Sequence, residues 1–228
     1  AISGINLGGG KAVIIGDART DKSEKLFRSY GKLVNSLNGK YYTAEDVGTS
    51  SRDMEYVSME TKFVTGVPKY MGGSGEPSPM TAYGTYLGMK AAAKKRWGSD
   101  SLKDKRIAIQ GVGHVAVSLI DYLLKEDAKL IITDIYEDRV KEITAKHKCE
   151  VVKPEDIYSI TADIYAPCAL GGTLNTANIE KLKCSVVAGC ANNQLEDEKI
   201  HGKMLQEKGI LYAPDFLINA GGVINVYL

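Results

Sequence analysis

Neither sign of charge dominates this sequence: 29 lysines and arginines stand against 28 aspartates and glutamates, a net charge of +1. A nucleic-acid surface, which draws its affinity from clustered cations, is therefore not expected. No apolar stretch approaches the roughly eighteen residues that a membrane span requires, and no basic-then-apolar leader opens the chain. Neither a membrane partner nor a cleaved signal peptide is indicated, and the cytoplasm is the expected location. Low-complexity tracts are missing as well. Cys149, Cys168, Cys184 and Cys190 never fall in a CxxC pattern, and His114, His147 and His201 are scattered, so no metal site is expected. The thiols read as buried and reduced. With 228 residues, 44% apolar and 25% charged, the composition is that of a soluble globular chain of one large domain or two modest ones.

What is present centres on residues 106–134, RIAIQGVGHVAVSLIDYLLKEDAKLIITD. Arg106 to Gln110 is a short aliphatic run, the pattern of a parallel strand covered on both faces. Gly111-Val-Gly113-His-Val-Ala116 follows at once. Gly111 permits the turn, Gly113 lets a pyrophosphate approach the backbone, and Ala116 takes the third small position, where helix and strand pack closely. The backbone N–H groups of the helix start, at His114 and Val115, then face the phosphates. Lys129 to Asp134 supplies a second strand. Asp134 stands at its end, about twenty residues beyond the glycines, where a carboxylate holds both ribose hydroxyls and repels a 2′-phosphate. The expected cofactor is NAD rather than NADP.

The first sixteen residues, AISGINLGGGKAVIIG, place a glycine triplet and Lys11 before an apolar stretch that reads as a strand. A nucleotide P-loop is excluded, because Ile5 stands where its first glycine is required and Ala12 where Ser or Thr must follow the lysine. Glycines here instead suggest backbone packed against a small ligand with a cation beside it. Lys11 among Gly, Val and Ile is either a desolvated amine or a solvated surface lysine. Ser23 caps an amphipathic helix with apolar positions 26, 27, 30, 33, 34 and 37, and Asn38-Gly39 ends it. A strand from Lys40 leads into a loop bearing Glu45 and Asp46. These are surface caps or proton carriers.

Residues 52–60 read as a helix and 62–67 as an irregular strand. The stretch MGGSGEPSP at 71–79 is the clearest break in the chain. A long helix is expected from Met80 to Trp97, with Thr81 in its first turn either capping or facing a ligand. Beyond the glycine motif the pattern alternates helix and strand: a helix at 137–146, strands at 150–152 and 163–166, a helix at 176–182, a strand at 185–188, a polar helix through Gln206 and a strand at 211–212. Ligands of open α/β sheets gather beyond the carboxyl ends of the strands. Cys168 with Ala169, Asn192, Asn193 and Asn219 therefore fall on the side where a nicotinamide is expected. The chain ends at 226–228 without a further helix in this reading.

GGGKAVIIGD, LNGKYYTAEDVGT, SPMTAYG, IQGVGHVA, DIYAPCALGGTLN, GCANNQL and APDFLINAGGVINV together resemble, in order and over nearly the whole chain, the glutamate/leucine/phenylalanine/valine (amino-acid) dehydrogenase family, its leucine-specific members most closely. The resemblance implies an α/β chain with a Rossmann-type NAD-binding domain, part of an α/β substrate domain and a cleft between them. The expected boundaries are a partial substrate and catalytic domain at 1–79, the NAD domain at 80–215, and the start of a return segment at 216–228. It implies NAD-dependent oxidative deamination of L-leucine and related branched-chain amino acids to 2-oxo acids and ammonia, by a homo-oligomer when intact.

By the same resemblance Lys11 is the catalytic lysine and Asp46 the acidic proton-transfer residue. Gly8 and Gly9 line the substrate, Thr81 and Asn192 or Asn193 lie near the nicotinamide or amino group, and Val223 and Val226 form part of the side-chain pocket. The family's carboxylate-anchoring lysine would precede Ala1, so the chain is expected to be a fragment lacking both ends. Phenylalanine or valine specificity, or a non-catalytic NAD-binding module, are the alternatives. Lys11 and Asp46 together favour the enzyme, since a module that only binds NAD needs neither.

Overall fold

The computed structural model describes residues 2–227. It divides into two compact units, 1–77 with 223–228, and 78–222. The boundaries thus fall at Pro77/Ser78 and Gly222/Val223, so residues 216–222, expected in a return segment, pack within the second unit. Among the described residues no helix is long and apolar enough to cross a membrane.

The first unit contains helices α1 (Glu24–Ser36) and α2 (Ser51–Ser58). Ser23 caps α1 as its sequence demands, accepting the Leu26 N–H, and α2 begins with a reciprocal box in which Ser50 and Asp53 each accept the other's backbone N–H. The helices meet where Gly31 leaves room, since a Cβ there would lie 2.8 Å from the Val57 carbonyl. Phe27, Met54 and Val57 form the small core, with Tyr30, Tyr56 and Val64 against it. The strands expected around 40 and 62 reduce to one parallel bridge, Thr43 to Val64. The stretch at 12–15 forms no strand. It pairs with no strand among the described residues, and Val13 and Ile15 are 81% and 98% exposed.

The second unit opens with α3 (Ser78–Trp97), which starts two residues earlier than expected because Pro79 is well tolerated in a first turn. Then follow β1 (Arg106–Gln110), α4 (His114–Leu124), β2 (Lys129–Thr133), α5 (Glu137–Lys146), β3 (Glu150–Val151), β4 (Ile164–Pro167), α6 (Thr176–Lys181), β5 (Val186–Val187), α7 (Glu198–Glu207), β6 (Leu211–Tyr212) and the short α8 (Asp215–Ile218). Helix α9 (Gly221–Tyr227) occupies the stretch expected to end without a helix. All six strands are parallel, in the order β3-β2-β1-β4-β5-β6. This is the Rossmann order, with its reversal between β1 and β4.

Both sheet faces are covered, which is why the strands read as unbroken aliphatic runs rather than alternating ones. Ile107, Ile109, Ile132, Ile164 and Val186 pack with Met89 of α3 and Leu119 and Leu123 of α4. Ala108, Ile131, Tyr165 and Val187 point the other way, onto Ile179 of α6 and Leu205 of α7.

Candidate functional site

The glycine turn between β1 and α4 is fixed from both sides. Gly111 sits at φ +93°, and a Cβ on it would lie 2.8 Å from both the Cβ and the backbone nitrogen of Ala169. Only glycine meets both conditions. Gly113 is the N-cap of α4, and a Cβ there would meet nothing within 4 Å. Ala116 is buried against the sheet, as the third small position requires.

Asp134 follows β2, and both oxygens of its carboxylate hold backbone. Oδ2 accepts the Val112 N–H at 2.8 Å and Oδ1 the Tyr136 N–H at 2.9 Å. The acid therefore ties the glycine turn to the end of β2. Arg139, in the first turn of α5, brings Nη1 to 3.9 Å from Oδ2 and stacks on the Tyr136 ring at 4.8 Å.

Across the reversal, the turns after β4 and β5 pack on each other. Cys168 donates its N–H to the Gln110 carbonyl, which keeps Ala169 against Gly111. Gly171 admits the carbonyls of Asn192 and Asn193, which a Cβ would approach to 2.5 and 2.7 Å, and Gly172 donates its N–H to the Asn193 carbonyl at 2.7 Å. Asn193 takes a positive φ of 50°. The thiols of Cys168 and Cys190 hydrogen-bond one another, which holds the pKa of Cys168 below the usual thiol value and pushes Cys190 well above it.

Asn219 reaches this place from the far end of the unit. Its Nδ2 donates to Asn192 Oδ1 at 2.6 Å and to the Cys190 carbonyl at 3.2 Å. It is set there by α3, whose Gly84 and Gly88 form a groove for Ile218. A Cβ on Gly88 would lie 2.4 Å from the Ile218 side chain, and one on Gly84 3.0 Å from its carbonyl. Thr81, one turn before, offers its carbonyl to the Thr85 hydroxyl at 2.9 Å. The structure thus brings together Gly111 with Ala169, and Cys168 with Asn192, Asn193 and Asn219, around the carboxyl ends of β1, β4 and β5.

In the first unit Lys11 and Asp46 are directly ion-paired, Nζ to Oδ2. The lysine is not desolvated there: its side chain is 65% exposed and that of Asp46 44%. Asp46 is placed by a tight turn in which Gly48 takes φ +81°, Thr49 returns its N–H to the Asp46 carbonyl, and Asp46 Oδ1 accepts the Val47 N–H. A Cβ on Gly10 would lie 3.2 Å from the Tyr41 ring, whereas one on Gly8 or Gly9 would meet nothing within 4 Å. Val223 and Val226 lie three residues apart on α9, hence on one face of it. Thr65 donates its hydroxyl to the Val226 carbonyl at 3.2 Å.

Comparison with known proteins agrees with this arrangement. The model of the Glutamate/Leucine/Phenylalanine/Valine dehydrogenases matches residues 72–136 and 130–228, and that of the family's dimerisation domain matches 1–63. The chain belongs to the Glu/Leu/Phe/Val dehydrogenase family. It is 58% identical over 226 residues to a leucine dehydrogenase of Thermoactinomyces intermedius, covering 99% of this chain and 62% of that protein. A phenylalanine dehydrogenase of Lysinibacillus sphaericus is 48% identical, over 99% of this chain and 60% of that one. The crystal structure of L-tryptophan dehydrogenase from Nostoc punctiforme superposes with a TM-score of 0.75 at 44% identity, covering 99% of this chain and 64% of that one. The chain thus spans about three-fifths of the length of these family relatives.

Proposed function

We propose that the protein catalyses NAD-dependent oxidative deamination of L-leucine and other branched-chain L-amino acids to 2-oxo acids and ammonia. The observation that carries the reading is the Lys11–Asp46 pair in a chain that also holds a complete dinucleotide turn. A pure binding module gains nothing from such a pair. The 58% identity to a leucine dehydrogenase supports the choice of substrate.

The residues of the second unit fit a dinucleotide. Gly113 leaves its backbone open to a phosphate, and Asp134 presents a carboxylate at the end of β2 for the adenosine ribose. His114, Val115 and Ala116 complete the phosphate turn. Cys168, Ala169, Asn192, Asn193, Asn219 and Thr81 serve the nicotinamide half. When bound, NAD supplies the acceptor for the hydride leaving the substrate α-carbon.

Lys11 then takes a proton from the water that attacks the resulting iminium carbon, and Asp46 carries protons as the carbinolamine collapses and ammonia leaves. The direct contact between the two side chains places them to pass a proton from one to the other. Gly8 and Gly9, where no side chain would collide with the unit itself, let the substrate lie against backbone. Val223 and Val226 offer the branched aliphatic side chain a β-branched apolar face. The match of residues 1–63 to a dimerisation domain supports a homo-oligomer, and a reaction drawing on a soluble dinucleotide pool is assigned to the cytoplasm.

The aromatic alternative rests on the 48% identity to a phenylalanine dehydrogenase. A panel of deamination rates at fixed NAD decides between them in the intact enzyme. Leucine, valine and isoleucine should fall within about two orders of magnitude of one another, since one methylene is worth about 1–3 kcal/mol of discrimination. A much higher specificity constant for phenylalanine or glutamate overturns the substrate and leaves the reaction class standing.

A further inference from the structure

Gln194 is fully buried, yet it bridges three parts of the second unit. Its side-chain Nε2 donates both hydrogens, to the Gly189 carbonyl at 2.8 Å and to the Ala191 carbonyl at 3.0 Å, folding back over the turn that precedes it. Its backbone N–H donates to Asp215 Oδ2 at 3.0 Å, at the start of α8. Its backbone carbonyl accepts the Leu174 N–H at 3.0 Å, in the turn after β4. Its own Oε1 is buried without a hydrogen-bond partner among the described residues, a cost the fold carries to keep the two donors in place. No other uncharged side chain of that size offers two hydrogens diverging to two carbonyls.

The turn so held, 189–193, lies at the carboxyl end of β5. Asp134, on the opposite side of β1, marks the adenosine end of a bound dinucleotide, so the other half runs across β1 and β4 towards β5. Resting on the dinucleotide reading given above, we propose that Gln194 is a positioning residue for the nicotinamide half of the cofactor. Being shut off from solvent, it touches no ligand; it acts by fixing the carbonyls of Gly189 and Ala191 and, between and beyond them, the path that aims Asn192 and Asn193. Asn219 then closes the turn from outside through Asn192.

The test separates the two halves of the cofactor. In the intact enzyme, Gln194→Met keeps volume and removes both donors. Binding of NADH and of ADP-ribose, which lacks the nicotinamide, is measured by titration alongside the melting temperature. NADH affinity should fall about tenfold, a loss of about 1.4 kcal/mol in binding. ADP-ribose affinity should hold within about twofold, because its contacts lie at a separate site. Equal weakening of both ligands makes Gln194 a merely structural residue, and no change in either removes its role. Should Gln194→Met not fold, Gln194→Asn, whose amide falls one methylene short of the two carbonyls, is read by the same split. If the parent enzyme binds neither ligand, the dinucleotide reading fails and this inference with it. If it binds both and only the split is missing, the inference alone fails.

Discussion

Gly111 and Ala169, on turns 58 residues apart in sequence, approach so closely that a methyl group on the glycine would overlap the alanine, its Cβ 2.8 Å from that of Ala169. This contact joins the turns on either side of the sheet's reversal. Gly111→Ala therefore meets both a collision and a positive φ, and should destabilise the protein by about 1–3 kcal/mol, the usual range for overpacking. Denaturant unfolding measures it. A compensating Ala169→Gly should recover part of the loss, because the collision is relieved while the φ is not.

Cofactor choice should follow the Asp134 and Arg139 pair. With Asp134 intact, NAD should bind more tightly than NADP. Asp134→Ala removes the proposed ribose partner and frees the Arg139 guanidinium, now 3.9 Å from the carboxylate, to meet a 2′-phosphate. The ratio of NADP to NAD affinity should rise, and titration of both nucleotides on parent and variant reads it directly. Tighter NADP binding by the parent would contradict the role given to Asp134.

Lys11→Ala in the intact enzyme should lower turnover by about two to four orders of magnitude, as loss of an acid–base group does. Asp46→Asn should act in the same direction. Neither change should alter NADH affinity, which is read separately by fluorescence titration. Near-normal turnover in Lys11→Ala would return the pair to an exposed surface ion pair.

Alkaline stability should report on Cys184, whose thiol burial pushes from an ordinary value near 9 up to about 11. A raised folded-state pKa means that the unfolded chain releases its proton first. The stabilisation is thus complete below about pH 9 and is lost as pH rises through about 11. Tyr212, pushed by burial to about 12, adds to the fall at still higher pH. Replacing Cys184 with alanine should flatten the stability profile between pH 9 and 11, seen by unfolding titrations across that range. An unchanged slope would show that Cys184 does not control it.

How much of this was legible in the sequence depended on how local the cause was. The β1–α4–β2 segment was readable because its glycines, its aliphatic runs and Asp134 act within thirty residues, and α1 because Ser23 and its apolar stripe lie together. Residues 12–15 misled for the opposite reason: a β-rich composition makes a strand only where another strand takes up its hydrogen bonds. The helix at 221–227 was missed because two glycines open it. Gln194 could not be seen at all, and Asn219 and Asn192 only as residues on the same side of the sheet, without their contact. Their partners are chosen by the sheet's winding, and no spacing rule connects positions 27 residues apart.

The groove of Gly84 and Gly88 bears on how the second unit comes to be folded. Its first helix is completed by one of its last residues: Thr85 and Ile218, joined by a 3.4 Å hydrogen bond, are 133 positions apart. Such a contact closes late, after the entropy of a long loop has been overcome, and loop length enters that cost only logarithmically. During synthesis α3 must therefore leave the ribosome with its glycine-lined side bare and wait for nearly the whole sheet to follow. The unit should fold in a single late step rather than strand by strand, and an early stop before Ile218 should leave a chain with much of its helical content and an unfilled seam along α3.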